Sequence, residues 1–303
     1  MIFNNAAIFK AMAMNLNSKG LNRDMIGYTI SKSFGPSDYD EIKEYADATG
    51  DDYSKYSNEN DPAPPFFFSR KLYPMFREVI THRDLKLDIL RMVHGMQGLR
   101  IKGFLSKNDP LSVEMSIADI IDTPAGEMLI ITTKADSNGR ELVEADTGFI
   151  VRRKKKMVSS EEGSDVIDKK PSIDKAEEVR LIIKTVKGQQ KKYAQVSRDT
   201  NPIHTSEFFA RLAGLPGTIL HGVCVIAMCA NSLIDCLGDR NPSLMDSVSA
   251  RFSFPVIPGD TLTLIGKKYA SADGVRVDFD VFNSRGRTVV KKGGFHMKHA
   301  GLS

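Results

Sequence analysis

The chain has 303 residues, 41% of them hydrophobic and 26% charged, which fits a soluble globular protein of one to two domains with ample core. Its net charge of +4 is too mild to argue for a nucleic-acid partner, and no run is long and apolar enough to span a bilayer. Cys224, Cys229 and Cys236 share one apolar stretch without paired metal-ligand spacing, which points to core thiols in a reducing compartment, the cytoplasm, rather than to disulfides.

Residues 1–22 read as an N-terminal extension. They are apolar in patches, but Asn4, Asn5 and Lys10 interrupt them, and no basic start precedes a clean apolar core as a signal peptide requires. A short strand follows Tyr28. SDYDEIKEYADATG, at 37–50, is then an acid-rich amphipathic helix with Ser37 as its expected cap. DDYSKYSNENDPAPP is loop, and FFFSRKLYPMFREVI is apolar and helical, with Pro74 breaking or kinking it. Alternation at 99–105, 111–117, 127–133 and 148–152 predicts strands. A charged linker, 153–178, carries on from Arg152 through KKK to Ser, Gly and acidic residues.

The second half repeats the first. Tyr45, Ala46, Thr49 and Asp51 match Tyr193, Ala194, Ser197 and Asp199, and 193 minus 45 is 148. Arg100, Asp109 and Leu111 match Arg251, Asp260 and Leu262, and 251 minus 100 is 151. Gly139 and Arg140 match Gly286 and Arg287, and Gly148 and Phe149 match Gly294 and Phe295, at offsets of 147 and 146. Chance pairs do not keep this order, so the chain is a duplicated unit of about 150 residues, too long a period for a solenoid.

In the second unit an almost wholly apolar helix is expected at 222–237, with strands at 247–254, 261–270, 275–283 and 288–298. Val275, Val277, Phe279 and Val281 alternate with Arg276, Asp278 and Asp280, which describes a sheet with one wet face. The other face needs a cover, and the apolar helix supplies it. A sheet wrapped on a central helix is a hot-dog unit. The expected fold is therefore α+β, with one hot-dog unit at 23–152 and a second at 179–303.

The chemistry concentrates in YAQVSRDTNPIHTSEFFARLAGLPGTILHG, residues 193–222. Asn201 is a natural cap and Pro202 suits a first helical turn, so Asp199 and His204 face a common point from either side of one turn. A carboxylate and an imidazole around one water form an acid–base pair that works near neutral pH. The Gly214–Pro216–Gly217 turn leads into the apolar helix, whose start at His221 and Gly222 offers free backbone N–H groups and a positive dipole end.

Tyr193, Ser197, Asp199, Asn201, Pro202, Ile203 and His204 together resemble the hydratase-2 motif of the MaoC-like (R)-specific enoyl-CoA hydratases, roughly Y-x-x-x-S-G-D-x-N-P-[IL]-H. His221–Gly222 and the run RFSFPVIPGDTL, residues 251–262, resemble that family too. One position departs, since Arg198 stands where the motif has glycine, and a positive φ there would strain it.

The resemblance implies a double hot dog with one continuous sheet, which hydrates trans-2-enoyl thioesters reversibly to (3R)-3-hydroxyacyl thioesters. In that reading Asp199 and His204 are catalytic, Asn201 orients them, and the Gly222 N–H holds the thioester oxygen. Phe66, Phe67, Phe68 and Gly217 would contact substrate, with the first unit shaping the acyl pocket, while the three phenylalanines read equally well as ordinary core. The substrate is carried on coenzyme A or acyl-carrier protein, no cofactor or metal is implied, and a homodimer is compatible.

The halves are chemically unequal. Where the second has Asn201, Pro202 and His204, the first has Tyr53, Ser54 and Tyr56, so Asp51 lacks an imidazole partner. His296 and His299 point to opposite faces of a strand, and His82 and His94 have no acid or cysteine at metal spacing. No dinucleotide-binding or P-loop pattern occurs. Rival readings are a non-catalytic acyl-thioester-binding protein and an acyl-CoA thioesterase, because one fold hosts several chemistries.

Overall fold

The computed structural model of the chain describes residue 15 and residues 18–58, 61–153 and 176–299. Most of the N-terminal extension and of the charged linker lies outside the described residues.

Ten strands form one antiparallel sheet: β1 Thr29–Phe34, β2 Met92–Ile101, β3 Leu111–Thr123, β4 Gly126–Ser137, β5 Arg140–Arg152, β6 Glu177–Lys184, β7 Met245–Phe252, β8 Thr261–Ser271, β9 Gly274–Phe282 and β10 Thr288–Lys298. Their spatial order is β1-β3-β4-β5-β2-β7-β10-β9-β8-β6. Read inward from either edge, the two halves have the same order, and they join where β2 pairs with β7. At that seam Gly98 pairs with Ser249. Since 249 minus 98 is 151, each is the other's repeat mate, and the pseudo-twofold axis passes between them.

In β9, Val277, Phe279 and Val281 are buried while Arg276 is exposed, as the period-two alternation requires. Each fully buried side chain of this size contributes about 1.5–3 kcal/mol. Strand β2 begins earlier than its predicted position, because Met92 to Gly98 interleaves His94, Gly95 and Gln97 with apolar residues and hides the alternation.

Helix α1, Tyr39–Ala48, is capped by the Asp38 carboxylate, which accepts the Glu41 N–H at 2.8 Å, so the cap lies one residue after Ser37. Helix α2, Ser69–Ile80, runs through Pro74 rather than stopping there. Phe66 to Phe68 form the tight turn before it, bonded back to the Pro64 carbonyl.

Helix α3, Gln189–Ser197, is the counterpart of α1 and packs on it across the axis. There the Tyr45 and Tyr193 hydroxyls approach to 3.5 Å. Two short helices follow, α4 at Pro202–Thr205 and α5 at Glu207–Leu212. Helix α6, Gly222–Leu237, matches its predicted bounds. Residues 224–230 are buried without interruption, so more than one face is covered. The sheet takes one side through β2, β6 and β7. The other side meets the end of α1 and the start of α3, where the Gln189 amide bonds both the Ala48 carbonyl and Met228 Sδ. Among the described residues, no helix is long and apolar enough to cross a membrane.

Candidate active site

The loop from α3 to α4 is built by short-range bonds. Ser197 Oγ donates to the Tyr193 carbonyl at 2.6 Å and accepts the Asp199 N–H at 3.2 Å. Arg198 ends α3 at φ +62°, in the left-handed region where glycine carries no Cβ penalty. The Asn201 N–H donates to Asp199 Oδ1 at 3.1 Å, while Asn201 Oδ1 caps α4 by accepting the Ile203 N–H at 3.3 Å. Pro202 fills the first turn. Asn201 thus holds the Asp199 carboxylate through its backbone and starts the next helix through its side chain.

His204 is buried, and its Nδ1 donates to the Ile219 carbonyl at 2.8 Å. A carbonyl only accepts, so that proton is fixed and Nε2 keeps its lone pair. Burial raises the Asp199 pKa, with the His204 charge opposing, and lowers that of His204, with Asp199 opposing. The Asp199 side chain remains 32% exposed and reachable by solvent.

A third group joins them. His221 is buried, its ring stacks on His204 at a centroid distance of 3.6 Å and 21° between planes, and Tyr193 covers its other neighbourhood at 4.9 Å. Its Nε2 donates to the Asp199 carbonyl at 3.0 Å and lies 4.0 Å from Asp199 Oδ2. One polar atom from each of Asp199, His204 and His221 lies within 4.8 Å of the other two. Tetrahedral zinc with bonds near 2.0–2.1 Å sets its ligands about 3.4 Å apart, closer than the 4.0 Å pair here.

Gly222 is the first residue of α6, directly after His221, at the end that presents free amides. A Cβ on Gly222 would lie 2.8 Å from His94 Nδ1 and 3.1 Å from the Phe252 ring. His94 comes from β2 in the first unit, and its Nε2 donates to the Met96 carbonyl at 3.0 Å. Burial lowers its pKa to about 4. The first unit therefore supplies a neutral imidazole wall beside the Gly222 amide. Sequence reading set His94 aside for want of a partner, and no local signal marks it, because the contact exists only across the two units.

The other expected site residues sit elsewhere. Phe66, Phe67 and Phe68 are 2%, 1% and 4% exposed and pack in the first unit's core. The small cavity of about 20 Å³ that Phe68 borders is lined by residues of the first unit, among them Ile101, Phe104 and Leu142, and by none from the Asp199 loop. Gly217 is buried and lets Glu207 approach: a Cβ there would lie 3.0 Å from Glu207 Oε2, whose partner oxygen accepts from the Thr218 N–H and hydroxyl.

In the first unit the Asp51 carboxylate is occupied. It binds Lys55 Nζ at 2.6 Å and the Tyr56 hydroxyl at 2.5 Å, and Lys55 also pairs with Asp235 of α6. Lysine and phenol take the place of an imidazole lone pair, and both Asp51 and Lys55 side chains are almost wholly buried.

Residues 167–283, which contain Asp199, His204, His221 and Gly222, match the model of the MaoC like domain. The chain is similar to the peroxisomal multifunctional enzyme type 2 of Drosophila melanogaster, 30% identical over 247 residues, which are 79% of this chain and 39% of that protein. It is similar to the 3-hydroxyacyl-thioester dehydratase Y of Mycobacterium tuberculosis, 30% identical over 179 residues, covering 57% of this chain and 61% of that one. The chain thus spans less than two thirds of either relative. Among solved structures, a MaoC-like dehydratase from Phytophthora capsici superposes with a TM-score of 0.76 at 19% identity, over 93% of this chain and 100% of that one.

Proposed function

We propose that this chain, a MaoC-like protein of double hot-dog fold, hydrates trans-2-enoyl thioesters reversibly to (3R)-3-hydroxyacyl thioesters. One observation carries the reading: the Asp199 carboxylate and a ring nitrogen of His204 lie within 4.8 Å of each other, close to the amide end of α6.

Water held by Asp199 and His204 loses a proton to one of them as its oxygen bonds to C3. The electron pair of the C2=C3 bond moves into the thioester, and the Gly222 N–H receives the enolate oxygen at the positive end of α6. The pair shares one proton before the step, so the other member, which holds it, gives that proton to C2, and the pair ends with one proton again. Addition of both from one face gives the (3R)-alcohol, an outcome taken from the family resemblance. Acid and base roles are not divided between Asp199 and His204, because two groups this close titrate as one unit.

The substrate arm is coenzyme A or an acyl-carrier protein, and the scheme uses no cofactor. Three free cysteines, two of them buried, suit the cytoplasm as the proposed compartment.

The test is incubation with crotonyl-CoA, following the conjugated thioester absorbance and free thiol together. Loss of absorbance without thiol release is expected. Release of free CoA would favour a thioesterase, and saturable binding without turnover would favour an acyl-binding protein.

A further inference from the structure

We infer that His221 is a positioning residue for the hydration reaction, one that clamps the Asp199 loop and the His204 ring to the helix end bearing the Gly222 amide. The assignment rests on the proposed function. The Asp199 loop needs a clamp, because Arg198 immediately before it is held at φ +62°, a conformation that a non-glycine residue leaves readily unless its surroundings fix it. His221 supplies the fixing bond, with Nε2 donating to the Asp199 carbonyl at 3.0 Å. The same ring stacks on His204 at 3.6 Å, and the same residue is the N-cap of α6, so Gly222 is its chain neighbour. Three parts of the reaction are therefore referred to one side chain: the carboxylate loop, the imidazole and the oxyanion amide.

Packing alone does not account for an imidazole here. His221 Nδ1 is buried and has no hydrogen-bond partner among the described residues, which a hydrocarbon ring in the same slot would avoid. What a phenyl ring cannot do is donate to Asp199. The neighbouring Tyr193 ring, 4.9 Å away, leaves the imidazole little room to turn, so the donor stays aimed.

His221→Phe keeps a stacking ring and removes the donor, whereas His221→Gln keeps an N–H donor and removes the ring. Crotonyl-CoA hydration is measured for the wild type and both variants across pH, with melting curves to confirm folding. In His221→Phe, kcat falls roughly ten- to hundredfold with KM within about threefold, as a misplaced reacting group predicts. The limbs of the pH profile stay where they are, and His221→Gln recovers at least part of kcat. A folded Phe variant with wild-type kcat overturns the assignment, as does a Gln variant no better than Phe or a pH limb that disappears. If the Phe variant does not fold, His221→Gln decides alone, with kcat within about tenfold of wild type expected from a retained donor and a larger loss overturning it. A wild type that does not hydrate crotonyl-CoA overturns the proposed function itself, an outcome separate from any result on the variants.

Discussion

Adding one methyl group at Gly222 tests whether the amide at the start of α6 does the work given to it. In Gly222→Ala the new Cβ arrives 2.8 Å from His94 Nδ1 and 3.1 Å from the Phe252 ring, where carbon contacts settle near 3.5–4.0 Å. Neither neighbour is a loose end. His94 is bonded to the Met96 carbonyl at 3.0 Å and packs at 4.8 Å on Phe252 and 5.3 Å on Phe149. The helix end therefore has to move by roughly 0.5–1 Å. Overpacking costs about 1–3 kcal/mol, and replacing glycine by alanine in a helix returns up to about 1 kcal/mol, so net destabilisation is at most about 3 kcal/mol. Loss of one oxyanion donor lowers kcat about 10²–10³-fold, so a displaced donor lowers it by at least roughly tenfold. Steady-state hydration of crotonyl-CoA and a melting curve measure the two effects separately. Adding His94→Ala makes room for the methyl group, so the double variant should recover at least about threefold in kcat over Gly222→Ala. A Gly222→Ala protein with wild-type kcat, or a double variant no better than the product of the single changes, would refute the reasoning.

Asp199→Asn and His204→Ala should each lower turnover by at least roughly a hundredfold in the same assay. Asp199→Asn should also melt higher at neutral pH: burial raises the folded pKa of Asp199, so its stabilising contribution is present at low pH and lost as pH rises through that value. Asp51→Asn should leave kcat/KM within about threefold but destabilise the fold by about 1–3 kcal/mol in a denaturant titration, since it removes one of the two carboxylates on the buried Lys55 ammonium and leaves it Asp235 alone. Arg198→Gly should stabilise by up to about 1 kcal/mol by relieving the positive φ, with a raised denaturation midpoint as the check. His94, with its pKa lowered to about 4, contributes stability that is complete above its unfolded value near 6.5 and is lost as pH falls through about 4, on the order of 3 kcal/mol. Denaturant midpoints at pH 7, 5 and 4 for wild type and His94→Phe measure it, and equal slopes for the two proteins would count against it.

Much of the second unit was legible in the sequence because its signals are local. A glycine-bounded apolar run marked α6, and period-two alternation marked β9. The drifting repeat offset foretold a symmetric sheet, and Gly98 facing Ser249 shows the same relation in the register. Asp199 and His204 were legible for the same reason, since one capped turn joins them. What stayed hidden was whatever depends on distant chain segments. The start of β2 was missed because His94, Gly95 and Gln97 interrupt its alternation, although it pairs with β5 from Met92 onward. Between lining a pocket and filling the core, the sequence left Phe66 to Phe68 open, and their burial follows from how the first unit closes; Lys55 likewise finds Asp235 far along the chain. His221 was noticed as part of a His–Gly pair, but its stack on His204 needed coordinates.

The pairing of β2 with β7 carries a consequence for what substitutions in this chain are able to do. Two separate copies meeting across such a seam would share every change, so an active-site loss in one would be a loss in both. With the copies in a single polypeptide, a lysine beside Asp51 leaves Asp199 and its imidazole untouched. Division of labour is therefore built into the connectivity: one half is free to become a brace while the other remains the reactor, and cutting them apart would leave two raw strand edges and no complete machine.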